Sequence, residues 1–146
     1  MSIFVSKNNR PDRGQAQVEF LLSVLPVIVL IVWILQLLFL IYTHVVLAGA
    51  AKEGVRYAVV HGAGNASPTG PSSGTPPVCN SNVDAVANAV RRYINYPGMS
   101  IDVCYLDGTN AMNNRVQVRV QYPFIAPFLG WTGPTINAGA QGRIIY

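Results

Sequence analysis

Glu19 is the first residue whose position asks for a chemical explanation. Its carboxylate stands directly before Phe20, the start of an uncharged run that continues to Ala51. A carboxylate against an apolar span is costly unless it is paired or reaches the polar interface. Two uses fit it. It could cap the first helical turn, where the helix dipole favours negative charge, or it could be a functional charge that is paired. Upstream lies Gly14, preceded by Lys7, Arg10 and Arg13 against Asp12.

The remaining chemistry-bearing residues do not assemble into a reactive site. Cys79 and Cys104 are the two cysteines of the chain. A pair in a small exported domain is read as a disulfide, whereas a redox or metal centre would need closer or more numerous ligands. His44 and His61 fall in or near the long apolar helix, without a carboxylate or cysteine cluster at ligand spacing. Asp102 and Asp107 fall in strand-like and turn-like contexts rather than as an acid/base pair. There is no P-loop, dinucleotide fingerprint or nucleophile elbow. The sequence therefore reads as a non-enzyme, with no catalytic residue, metal, cofactor or small-molecule substrate.

Composition sets the frame in which these residues must be placed. Of 146 residues, 51% are hydrophobic and 11% charged, against roughly 25% charged in an ordinary soluble domain. Disorder and a conventional cytosolic enzyme are excluded. The net charge of +4 is spread along the chain, and no part is basic enough for a nucleic-acid partner. What remains is a membrane segment attached to one small domain.

The run from Phe20 to Ala51 is ample for a transmembrane helix, which needs about 20 apolar residues. It is too long for the apolar core of a cleaved secretory signal, about 7–15 residues. We place the span at about residues 20–42. Lys52 and Arg56 with Glu53 on the far side leave only a slight excess of positive charge at the N-terminal flank. The cysteines, both downstream, favour a cytoplasmic N-terminus and an exported C-terminal domain.

A basic leader ending in Gly14, four residues, Glu19 and a long apolar helix together resemble the prepilin signature of type IV pilins. The likeness narrows with Gln17-Val18-Glu19-Phe20, the early Pro26, the polar Gln36 and Ala50-Ala51-Lys52-Glu53-Gly54-Val55-Arg56-Tyr57-Ala58. Over residues 14–61 the chain resembles the TadE-like family, minor pilins or pseudopilins of the tight-adherence (Flp) pilus apparatus. The resemblance implies cleavage by a prepilin peptidase between Gly14 and Gln15, making Glu19 the fifth mature residue. It implies pairing of Glu19 with the new terminal amine of a neighbouring subunit, where opposite charges compensate each other's desolvation. It also implies a bacterial inner-membrane location, with other pilin-like subunits, the membrane platform of the machinery and the lipid bilayer as partners. Gln15 departs from the aromatic first residue of ordinary pilins. Gln36 stands where Glu is often found.

Past the span, Val45, Ala48, Ala51, Val55, Ala58 and Val59 keep helical spacing. Ala50, Gly54 and Ala58 recur at every fourth position, permitting close helix–helix approach. The same stripe could instead rest on the chain's own domain. One helix over residues 16–61 would be roughly 70 Å long. Residues 62–77, rich in Gly, Pro and Ser, read as a linker.

Residues 78–146 read as a small exported α+β domain. A helix is expected to begin near Ser81 as N-cap, with Val83, Val86, Ala87, Val90 and Ile94 as its stripe and Asp84 outside it, and to stop at Pro97-Gly98. Strands are expected at Ser100–Leu106 and Arg115–Tyr122, joined by turn residues from Asp107-Gly108 to Asn113-Asn114, with a weaker strand near Gln141–Tyr146. The fold class is thus a membrane-anchored α+β protein: a leader (1–14), a pilin-like helix (15–61), a linker and a domain of one short helix on a 2–4-stranded antiparallel sheet. So small a unit is marginal alone, and a Cys79–Cys104 bridge would add roughly 3–3.5 kcal/mol through loop-closure entropy. The alternative function is an uncleaved, single-pass anchor carrying a small ligand- or cell-wall-binding domain.

Overall fold

A computed structural model of the chain describes residues 13–81, 85–128 and 130–146. The basic leader before Arg13, and Val83 and Asp84 of the expected second helix, lie outside the described residues. The architecture is a long apolar N-terminal helix and a small domain in which a short helix accompanies a four-stranded antiparallel sheet. Helix α1 runs Arg13–Val60 without interruption, and Pro26 lies inside it. The chain divides into two compact units within that helix, Met1–Leu35 and Gln36–Tyr146.

In the first unit the described residues are helical and largely exposed. Pro26 supplies no N–H to the helical ladder. Ser23 Oγ donates to the Glu19 carbonyl at 2.9 Å, a bond available to a hydroxyl one turn downstream.

The second unit is built on a meander. Strands β1 (Val78–Ser81), β2 (Ser100–Tyr105), β3 (Arg115–Ile125) and β4 (Thr132–Arg143) lie in the order β1-β2-β3-β4, each antiparallel to the next. Helix α2 (Ala85–Tyr93) lies between β1 and β2 in the chain. The period-two pattern of β3 is expressed directly: Val116, Val118 and Val120 are buried, while Gln117, Arg119 and Gln121 face the other way.

Two expectations need correction. Ser81 does not open the second helix; it ends β1, opposite Asp102, and α2 begins at Ala85. The last strand is not confined to Gln141–Tyr146 but covers Thr132–Arg143, paired from Arg115↔Arg143 to Ile125↔Thr132. Pro123 pairs with Thr135 before the register shifts toward Ile125, and it lies beyond Gln121, the last β3 residue paired with β2, where β3 has a free edge that tolerates proline.

One face of this sheet forms the core with α1 and α2. Leu47, Ala50, Ala51, Val55 and Ala58 of α1 join Val86, Ala87 and Val90 of α2 and the inward side chains of β2, β3 and β4. Small residues on α1 permit the approach. A Cβ placed on Gly54 would come within 2.5 Å of Val90 Cγ2 and 3.2 Å of Val118 Cγ1. Both valines are fully buried and short, so neither has a flexible end to withdraw. Gly54→Ala is therefore expected to destabilise the second unit despite the better helix former. Overpacking costs about 1–3 kcal/mol and the propensity gain returns about 1 kcal/mol. Denaturant unfolding of the solubilised chain measures the balance, and a stabilised variant would contradict this packing.

The Gly/Pro/Ser-rich stretch after α1 is folded onto the domain. Thr69 caps the helix end, its N–H and Oγ1 donating to the His61 carbonyl at 2.7 and 3.0 Å. Asn110 Nδ2 donates to the Thr69 carbonyl at 3.0 Å, and Ala63 N donates to the Asn110 carbonyl. Gly70, at φ +88°, lies against the fully buried Tyr105 ring. After β4, Ile145 N donates to the Val59 carbonyl at 3.1 Å.

Candidate functional site

The head of α1 presents the residues singled out for processing and pairing. Gly14, Gln15 and Glu19 are all helical and exposed. A Cβ on Gly14 would meet nothing within 4 Å. No ion pair among the described residues involves Glu19, in contrast to Glu53 with Arg56 and Asp107 with Arg115. The carboxylate is thus presented outward, beside side chains that have no aqueous logic. Phe20 is 67% exposed, Leu22 74% and Trp33 70%. None of the most apolar stretch of the helix is buried among the described residues, and the helix is long and apolar enough to cross a membrane.

Gln36 is the polar interruption of that apolar surface. Its side-chain oxygen and nitrogen are both buried without a hydrogen-bond partner. The small residues farther along have a different fate. Ala50 and Ala58 are fully buried in the domain core and Gly54 packs on Val90 and Val118. The stripe serves the chain's own domain, the second of the two uses open to it.

The cysteines are joined. Cys79 and Cys104 face each other directly across β1 and β2 and form a disulfide. This bridge ties an edge strand of four residues to its neighbour. Of the aspartates, Asp107 is occupied by Arg115. The carboxylate accepts from Arg115 Nη2 at 2.7 Å, Nε at 3.2 Å and the backbone N–H at 2.8 Å. The Arg115 side-chain hydrogen bond, followed by its backbone N–H, holds the Asp107 carboxyl well below the usual range, at about 2.

This pair gives a pH prediction with a definite sign. The folded-state pKa lies below the unfolded one, so the contribution to stability is complete above the ordinary carboxylate range and disappears as pH falls toward the folded value. Between about pH 4 and pH 2, the unfolding midpoint of the parent chain should drop more steeply than that of Asp107→Asn. The pair is exposed to solvent, so the difference should be modest. Parallel curves for the two proteins would remove Asp107 from the acid response.

Two surfaces went unread in the sequence. On the face of the sheet away from the helices, Gln117, Arg119 and Gln121 of β3 stand beside Asn137, Gly139 and Gln141 of β4, lining a shallow groove of about 400 Å³. The cross-strand pairs Gln117↔Gln141 and Gln121↔Asn137 flank Arg119↔Gly139. Each strand alone reads only as a polar outer face; the groove needs their register. Elsewhere tyrosines collect near α1. Tyr96 and Tyr122 have ring centroids 4.9 Å apart. Burial, then the phenols of Tyr42 and Tyr122, keep the Tyr96 hydroxyl above its ordinary pKa.

No three His, Cys, Asp or Glu side chains among the described residues gather as a metal site. Compared with known protein families, characterised proteins and solved structures, the chain matches none.

Proposed function

We propose that the chain is a TadE-like pseudopilin: a single-pass protein of the bacterial inner membrane, trimmed after Gly14 by a prepilin peptidase. It then takes part with other pilin-like subunits and a membrane platform in assembling a tight-adherence pilus. The observation that carries this reading is the head of α1. An outward-facing carboxylate with no ion-pair partner among the described residues stands five residues after an unobstructed glycine. Behind it the helix exposes an apolar surface that none of the described residues covers. Lipid answers the apolar surface, and a neighbouring subunit's terminal amine answers the carboxylate. The disulfide accords with an exported domain.

A second reading has its own support. The amide-lined groove around Arg119 and Gly139 suits a permanently anchored module that binds a polar ligand such as a cell-wall component. The N-terminus separates the two. Intact-mass measurement of the chain, expressed with and without a prepilin peptidase, should show loss of residues 1–14 only when the peptidase is present. An unprocessed chain in both cases would leave the anchored binding module.

A further inference from the structure

The connection between β3 and β4 carries a group of apolar side chains that the domain leaves outside its core. Ile125 is 48% exposed, Phe128 55% and Trp131 68%. The turn is nonetheless organised: Ala126 N donates to the Trp131 carbonyl and Gly130 N to the Ala126 carbonyl, each at 2.9 Å, with Gly130 at φ +62°. No charged residue occurs between Arg119 and Arg143. Isolated exposed hydrophobic residues need no explanation, but a grouped set with two aromatics in an uncharged hairpin does.

The position of the group says what covers it. The Phe128 ring lies 5.9 Å, centroid to centroid, from the ring of Phe39 on α1, inside the uncharged run of that helix. A hydrocarbon core of ~30 Å takes about 20 helical residues. Counted from Phe20, these end at Phe39, within one helical turn of the end of the span at about residue 42. The hairpin therefore reaches the level at which the helix leaves the lipid, and Tyr42, Tyr96 and Tyr122 collect near that level. Trp and Tyr are the side chains enriched at membrane interfaces, where an apolar ring and a polar edge both find their solvent.

We propose that the β3–β4 hairpin is a second membrane-seating element, in which Ile125, Phe128 and Trp131 enter the interfacial layer of the leaflet from which α1 emerges, with Phe128 resting on Phe39. The proposal rests on the membrane-spanning reading of α1. The occupant of this surface is lipid, not another protein. The domain is then fixed to the bilayer at two points rather than hanging from the helix alone.

The two tryptophans of the chain make both parts testable in the full-length protein. Trp33→Phe leaves Trp131 to report the hairpin, and Trp131→Phe leaves Trp33 to report the span. Each variant is reconstituted into phosphatidylcholine–phosphatidylglycerol vesicles, with lipids brominated near the glycerol or near the chain methyl. Trp131 is expected to emit to the blue of a water-exposed indole and to resist iodide. It should lose most of its emission to the shallow bromine and much less to the deep one. Trp33 should be quenched by brominated lipid. If Trp33 is quenched while Trp131 stays red and open to iodide, the hairpin proposal falls and the span stands. A Trp131 shielded from iodide and from both lipids is covered by a second copy, which also overturns it. A Trp33 that no brominated lipid reaches removes the span, and the hairpin proposal with it.

Discussion

With Gly14 changed to Leu, the chain is expected to keep its leader and to accumulate at full length in the membrane. A peptidase that cleaves at Gly draws an unencumbered backbone through its cleft, and a branched four-carbon side chain there obstructs it. A loss of about 3 kcal/mol of transition-state fit slows cleavage on the order of a hundredfold. The chain's own structure makes this variant clean, since a Cβ at Gly14 meets nothing within 4 Å. A defect would therefore lie in recognition rather than in folding. Intact mass in the presence of the peptidase is the readout. A Gly14→Leu chain trimmed at the normal rate would count strongly against the pseudopilin reading.

The second large effect is expected at Glu19. Gln at this position keeps the size and the hydrogen-bonding capacity and removes only the charge. Processing and insertion should continue, because the carboxylate has no ion pair within the described chain. Assembly should fail. A helix-capping carboxylate contributes only about 0.3–1 kcal/mol through the helix dipole. An amine left unpaired in a low-dielectric contact between subunits costs several kcal/mol. Co-purification of the processed Glu19→Gln chain with pilin-like subunits or the membrane platform distinguishes these magnitudes. Normal recovery of the partners would sink the ion-pair mechanism and return Glu19 to a capping role.

The parts of the fold that were legible are those fixed by local periodicity. The uncharged run and the spacing of Val45, Ala48, Ala51 and Val55 sufficed for α1, and alternation sufficed for β2 and β3, whose first residues, Ser100 and Arg115, fall where expected. The edges of the sheet were hidden for different reasons. β1 is four residues long, too short for a period to register, and its Ser81 carries a stronger capping signal than strand signal. In β4 the sequence Thr132-Gly-Pro-Thr-Ile-Asn-Ala-Gly-Ala-Gln-Gly-Arg143 has Ile136 as its only branched aliphatic residue. Pairing with β3 makes it a strand, not its own propensity. The stretch after α1 reads as a linker because Asn110, which holds Thr69, is remote in sequence.

The candidate site divides in the same way. Glu19 and Gly14 were visible because a charge at the edge of an apolar run is a local anomaly. That the Gln36 amide is buried and unsatisfied could not be read from the sequence pattern. The dual reading of Ala50, Gly54 and Ala58 could be resolved only by the positions of Val90 and Val118. Small residues at every fourth position state that something comes close, without saying what.

The covalent rung between β1 and β2 has a mechanical meaning. Tension drawn through α1 and the following loop arrives at Cys79, crosses the sulfurs to Cys104 and continues into β3. Everything between, α2 included, is short-circuited and bears no pull. The bypassed separation is 25 residues. At about 3.4 Å of extended chain per residue, a reduced molecule can be drawn out roughly 85 Å farther than an oxidised one. A fibre subunit or an anchored domain with this bridge would thus yield by unzipping β3 and β4, while its short helix stays wound.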